Sequence, residues 1–173
     1  MIDVDPDQLA TMQRQAVEIA ETPVDPVAPD VTRYLAMMRS IRPPTPKGWV
    51  YRGVEDFLLQ HGQAYPAPKS ARPRGVRKMT NKYCFDNAYR IACLEGWTYV
   101  EGYAAGFFPM HHAWCVRPDG RVIDVTWGKA GTEYFGVPFP LDQMKAIRTE
   151  TNTSMLLQPK LYTQRFDKSP VKV

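Results

Sequence analysis

At 173 residues the chain is long enough for one domain with a real core. Three cysteines are odd in number and too few for a disulfide scaffold, and no apolar run approaches the roughly 20 residues of a membrane span. The net charge of +4 hides an imbalance, because residues 1–30 hold seven acids against one base, a balance of −6 that leaves +10 on the rest.

The start, MIDVDPDQLA, lacks a signal peptide's basic residues and apolar run, so a soluble protein of the cytoplasm is expected. Asp5-Pro6 has the form of a helix start, with aspartate as cap and proline at the first helical position. Leu9, Met12, Ala16, Ile19 and Ala20 then share a stripe that ends near Glu21, before Pro23. Pro23, Pro26 and Pro29 make a stiff connector. Asp30 caps a second helix with Val31, Tyr34, Leu35, Met38 and Ile41 on one face. Arg42-Pro43-Pro44-Thr45-Pro46 breaks the chain again. Val54–His61 is a short helix closed by Gly62, and an exposed His61 suits the negative end of its dipole.

Tyr65–Gly75 reads as a proline-rich loop. From Phe57 to Phe85 there is no acid, while Lys69, Arg72, Arg74, Arg77, Lys78 and Lys82 accumulate. Such a run can hold an anion or nucleic acid. A solvated loop, or one lying on the acidic N-terminal helix, is the simpler account. The Lys69–Lys82 run also lacks the interleaved aromatics that grip single-stranded bases.

Asn81–Glu95 is the clearest helix, capped by Thr80 or Asn81 and ended by Gly96. Phe85, Ala88, Ile91, Ala92 and Cys93 give it apolar surface, and Cys84 lies in its first turn. Thr98–Ala104 reads as a strand. After Trp127 a loop leads to Tyr134-Phe135-Gly136-Val137-Pro138-Phe139. Leu141–Ile147 is a short helix, Ser154–Leu157 a short strand, and the chain from Pro159 is extended and basic.

Between these lies His111–Trp127, HHAWCVRPDGRVIDVTW, a β-hairpin with histidine on one strand and an acid on the other. Arg117-Pro118-Asp119-Gly120 fits a type I turn, with proline at its second position. A left-handed Gly120 makes it a three-residue loop closed by a G1 bulge, pairing Arg117 with Arg121. Asp124 then falls opposite Trp114, one diagonal step from His112 on the same face. A two-residue loop would bring Asp124 to the face of His111 instead; the proline favours His112.

A cysteine at a helix start sits where free N–H groups and the positive dipole end favour a thiolate, the competent nucleophile. His112 would take its proton and deliver it to a leaving group. Asp124 would fix the ring's tautomer and stabilise its cation. The Cys84 N–H is a natural oxyanion donor, and Asn81 or Thr80 are candidates for a second. Trp114, Trp127, Tyr134 and Phe135 could wall the cleft, although core packing explains them as well. Cys93 and Cys115 fall away from His112 and read as packing residues.

TNKYCFDNAYRIA, followed by HHAW and DGRVIDVTW, resembles the papain-like superfamily of cysteine enzymes, above all its compact NlpC/P60-like and transglutaminase-like branches. With YFGVPF added, the chain is also similar to small uncharacterised proteins of bacteriophages and their hosts. The likeness covers roughly Thr80–Phe139 and departs from papain proper in lacking C-G-S-C-W. It implies Cys84 as nucleophile, His112 as base and Asp124 as orienting acid. It also implies hydrolysis of amide or peptide bonds, or acyl transfer to amines, on a protein or small acyl substrate, with no cofactor. For a phage protein the setting would be the host cytoplasm.

Two rivals stand beside this. His111, His112, Cys115 and Cys84 are zinc-type ligands, but adjacent strand histidines point to opposite faces and no C-x2-C pair exists. A non-catalytic binding or inhibitory protein could use the basic Lys69–Lys82 segment on nucleic acid or an acidic partner. The expected fold is α+β: a papain-like core, residues 80–158, with the Cys84 helix on a small antiparallel sheet. Residues 1–79 would pack on it as a helical, proline-rich cover and residues 159–173 would trail as a tail, all in one domain.

Overall fold

A computed structural model describes residues 30–45, 47 and 50–157. The helix expected over Asp5–Glu21 and the stretch from Pro159 lie outside the described residues, as does any contact of the basic run with that helix. The elements in chain order are α1 (Asp30–Ile41), α2 (Val54–His61), β1 (Gln63–Tyr65), α3 (Cys84–Glu95), β2 (Thr98–Ala105), β3 (Pro109–Val116), β4 (Val122–Ile123), β5 (Glu133–Phe139) and α4 (Leu141–Thr151). The class is α+β, with one antiparallel sheet in the order β1-β5-β2-β3-β4.

Alternation along β2 and β3 divides the interior in two. Ala113 and Cys115 face α3, where they pack with Ala88, Ala92, Tyr99 and Tyr103, and α1, α2 and α4 add Leu35, Phe57, Leu58 and Met144 to the same core. Each such large apolar side chain contributes about 1.5–3 kcal/mol on leaving water. Trp114 faces the other way and packs with Val100, Ala104, Val122 and Tyr134. Gly102 sits between Gly136 on β5 and His112 on β3. A Cβ on Gly102 would lie 2.2 Å from the Phe135 carbonyl oxygen, and one on Gly136 would lie 2.8 Å from the Trp114 ring. The two bare positions let β5 and Trp114 close onto β2 in the row that carries His112.

Several elements differ from the sequence reading. Helix α3 begins at Cys84, three residues later than expected, after Lys82 enters the left-handed region at φ 69°. Its cap is Tyr83, with no side-chain hydrogen bond, in place of Thr80 or Asn81. Gly96 ends it as expected, left-handed at φ 68° with its N–H on the Ala92 carbonyl. Tyr134–Phe139 belongs to strand β5, which pairs with both β1 and β2, and Tyr65 to strand β1. Helix α4 runs on to Thr151. Ile41 is exposed, outside the buried stripe of Val31 and Leu35. His61 is half-buried and shares a 2.7 Å hydrogen bond with the Tyr51 hydroxyl.

Ser154–Leu157 forms no strand. The amides of Leu156 and Leu157 donate instead to the carboxylate of Glu101, at 2.6 and 3.2 Å. Glu101 is fully buried in the middle of β2 and also accepts from the Tyr99 hydroxyl. The reason is in the donors: a buried carboxylate needs partners, and two consecutive backbone N–H groups supply them without a neighbouring strand.

Candidate active site

The hairpin adopts the register expected from its turn. Gly120 is left-handed at φ 80°, the Gly120 N–H reaches the Arg117 carbonyl, and the Arg117 N–H reaches the Arg121 carbonyl at 3.0 Å. Cys115 then pairs with Ile123 and Val116 with Val122. Beyond Ile123 the ladder changes partner. Asp124 N–H donates to the Ala71 carbonyl and Met79 N–H to the Val125 carbonyl, both at 2.7 Å. Arg72 adds bonds from Nη1 to the carbonyls of Trp127 and Asp124. The proline-rich basic segment is thus tied along the loop that carries the acid, and Arg72 belongs to that tie.

His112 Nε2 lies 2.8 Å from Asp124 Oδ2. Both residues are buried, at 2 % and 0 % exposure. Asp124 is held from every side: Oδ1 accepts the backbone N–H groups of Thr126 and Trp127 at 2.9 and 3.0 Å, and Oδ2 also accepts the Tyr134 hydroxyl at 3.3 Å. Burial on its own would raise the Asp124 pKa. The hydrogen bond and charge of His112, with the two backbone donors, outweigh it and hold the group below its ordinary value. Asp124 is therefore an acceptor-only carboxylate, which makes His112 Nε2 the donor. Arg121, the other conceivable partner, pairs with Asp119 at the turn.

The second influence on His112 is the thiol of Cys84. Burial disfavours the imidazolium, but hydrogen bonds to Asp124 and Cys84 and the charges of both reverse this, and the His112 pKa is pushed up to about 9. With Nε2 committed to Asp124, Nδ1 is the ring nitrogen left for the sulfur. Cys84 opens α3 and keeps 9 % of its surface exposed. Asp124 is thus hydrogen-bonded to His112, and Cys84 lies near enough to act on the same imidazole. Trp127 closes the free face of the imidazole, with ring centroids 4.3 Å apart and planes 22° from parallel.

The other candidates fare differently. Trp114 and Tyr134 are buried in the second core, at 0 % and 2 % exposure, and wall no cleft. The pleat turns both inward, and Tyr134 spends its hydroxyl on Asp124 and on the Gly131 N–H. Trp127 is half-buried over His112 and Phe135 half-buried against the main core. Thr80 and Asn81 are exposed. Asn81 Oδ1 is taken by Lys78 and the Thr80 carbonyl by Asn87, so neither joins the His112–Asp124 pair. Cys93 is half-buried against the core, and the Cys115 thiol bonds the Ala88 carbonyl on the face opposite His112.

Asn87 was not singled out from the sequence. It is 3 % exposed, one turn past Cys84, and its Nδ2 donates to the Thr80 carbonyl at 2.7 Å and to Thr126 Oγ1 at 3.0 Å. It braces the approach to the cysteine against the loop that follows the acid. The signal was present: an amide at i+3 from Cys84 lies on the cysteine's own face.

His111 faces the other side of β3, stacked on Tyr103 with centroids 5.4 Å apart. Its Nε2 lies 3.1 Å from Glu101 Oε1, within ion-pair reach but outside hydrogen-bonding line. Among the described residues no three His, Cys, Asp or Glu side chains are grouped to hold a metal ion, and no helix is long and apolar enough to cross a membrane. Comparison with models of known protein families, with curated proteins and with solved structures finds no match.

Proposed function

We propose that the chain is a cysteine-dependent hydrolase or acyltransferase acting on an amide, peptide or related acyl bond. One observation carries the reading: a buried histidine bonded by a buried carboxylate on one ring nitrogen and interacting through the ring with a cysteine at a helix start. The chain order Cys, His, Asp and the helix packed on an antiparallel sheet also support kinship with the papain-like superfamily, in its NlpC/P60-like or transglutaminase-like branches.

In this mechanism the Cys84 sulfur attacks the acyl carbon while His112 holds the thiol proton. The carbonyl oxygen becomes an oxyanion beside the Cys84 N–H, which no side chain caps. Collapse breaks the bond to the leaving group, which departs with the proton from His112. Water or an amine then attacks the thioester, giving its proton to His112, and the thiol is restored. Asp124, fixed by four donors, keeps the imidazole oriented throughout.

Alkylation by iodoacetamide tests this directly. Cys84 is expected to label faster than the more accessible Cys93, and Cys84→Ala to retain the fold while losing acyl chemistry. A Cys84 that reacts no faster than a free thiol at neutral pH ends the proposal.

A second reading has its own observation. Lys69, Arg74, Arg77, Lys78 and Lys82 are all exposed, a cationic strip suited to binding nucleic acid or an acidic partner. Binding to single-stranded nucleic acid through this strip should weaken steeply with added salt and survive Cys84→Ala. Binding that is absent even at low salt, or indifferent to salt, removes it.

A further inference from the structure

We propose that the acidic segment before α1, residues 1–29, docks in cis on a cationic loop that stands beside Asp124, and so masks that loop from other anions. This holds whether or not Cys84 is a nucleophile. The loop is residues 72–78, and both of its feet are pinned. The Ala71 carbonyl accepts the Asp124 N–H and the Met79 N–H reaches the Val125 carbonyl, both at 2.7 Å. Ala71 and Met79 thus stand on adjacent residues, and the chain between them must double back. It turns at Pro73–Val76, where the Val76 N–H bonds the Pro73 carbonyl at 3.2 Å and Gly75 is left-handed at φ 92°. Arg72 points inward, onto the carbonyls of Trp127 and Asp124. Arg74, Arg77 and Lys78 are exposed, with exposed Lys69 before the loop and exposed Lys82 after it. Doubling back gathers cations that an extended chain would spread, and like charges held together repel. Among the described residues no carboxylate lies within ion-pair reach of Lys69, Arg74, Arg77, Lys78 or Lys82.

Charge, groove and point of attachment select the occupant. Residues 1–29 carry Asp3, Asp5, Asp7, Glu18, Glu21 and Asp25 against Arg14 alone. A groove of about 540 Å³ lies between the loop Pro66–Pro73 and the hairpin turn, with Ala67, Pro68, Val122 and Ile123 as apolar walls and Lys69 and Arg72 beside them. The stripe Leu9, Met12, Ala16 and Ile19 expected from the sequence offers apolar side chains to such walls. No aromatic ring lines the groove, so bases find no platform there and a polynucleotide would engage the charge alone. The segment also joins the domain nearby. The Val31 N–H donates to Glu133 at 3.0 Å, Gly131 packs against the Trp127 ring, and the Trp127 carbonyl is a partner of Arg72. At about 3.3 Å per extended residue the segment is long enough to reach both cations and groove. Its tether holds it there at roughly millimolar effective concentration. Any other anion that uses the strip must first displace it.

Carbodiimide, which joins a carboxylate to an amine only where the two touch, tests this on the full chain. At low salt it should cross-link Lys69, Lys78 or Lys82 to acids of residues 1–29 within one monomer, as mapped by peptide mass spectrometry. The yield should survive about tenfold dilution, because the contact is intramolecular. It should be lost in about 1 M salt, where the screening length falls to about 3 Å. A variant with Asp3→Asn, Asp5→Asn, Asp7→Asn, Glu18→Gln, Glu21→Gln and Asp25→Asn should shift the NMR amide signals of Arg74, Gly75 and Arg77 at low salt. High salt should bring the parent and variant spectra together. Cross-links only between chains, no cross-links, or coincident spectra at low salt overturn the proposal. A single-stranded oligonucleotide that binds parent and variant equally overturns it as well, since the strip would then be open in both.

Discussion

Asp124→Asn is expected to lower the His112 pKa from about 9 by about 1–3 pH units. The carboxylate is the stronger of the two partners that offset burial of the imidazolium, and asparagine keeps the shape while removing the charge. Stability should follow by linkage. The His112 pKa is raised in the fold, so its contribution is full below the ordinary value of 6.5 and fades as pH rises through about 9. The Asp124 pKa is lowered, so its contribution is present above the ordinary 3.8 and fades as pH falls through the folded value. The pair therefore stabilises the fold between about pH 4 and 9, by on the order of 3 kcal/mol from the histidine. Chemical denaturation across that range should show a broad maximum in the parent chain and a lower, flatter profile in Asp124→Asn. NMR titration of the His112 ring reads the pKa itself. An unmoved titration in the variant contradicts the arrangement.

The second large effect concerns His112. His112→Gln keeps a planar polar side chain but can neither accept the thiol proton nor return it. Cleavage of an amide probe by the variant is expected to fall at least about a thousandfold. In the parent chain the step that protonates the leaving group needs the imidazolium, so activity should decline as pH rises through about 9. Substrates whose leaving group departs without a proton, such as activated thioesters, should lose less on that limb. Equal alkaline loss for amides and activated thioesters would show that His112 is not the acid.

The most legible part of the site was its hairpin. A proline and a glycine at defined turn positions fix the register, and the register fixes which face Asp124 shares with His112. Turn chemistry is local, so a sequence displays it. The helix start was harder to read. Thr80 and Asn81 are good caps in isolation, but the left-handed Lys82 and the side chain of Asn87 give that backbone a different route. Strand β5 was obscured by its composition, since Gly136 and Pro138 weaken any strand pattern. Gly136 is there because Trp114 fills the space where a side chain would stand. The inward aim of Trp114 and Tyr134 likewise depends on neighbours more than 20 positions away in some cases, which no local window contains. The partners of Asp124 show the same division: two backbone donors follow within three residues, whereas the Tyr134 hydroxyl arrives from another strand.

The Glu101 carboxylate has a consequence for how the chain is made. It sits at the centre of the sheet, and two of its donors are the amides of Leu156 and Leu157, 55 and 56 positions downstream. During synthesis β2, β3 and β5 emerge well before those amides do. Until Leu157 clears the ribosome, the growing domain must either leave the Glu101 carboxyl short of two of its donors or keep the middle of the sheet open to water. Final closure of the scaffold around Cys84, His112 and Asp124 is thereby deferred until the segment carrying Leu156 and Leu157 has emerged.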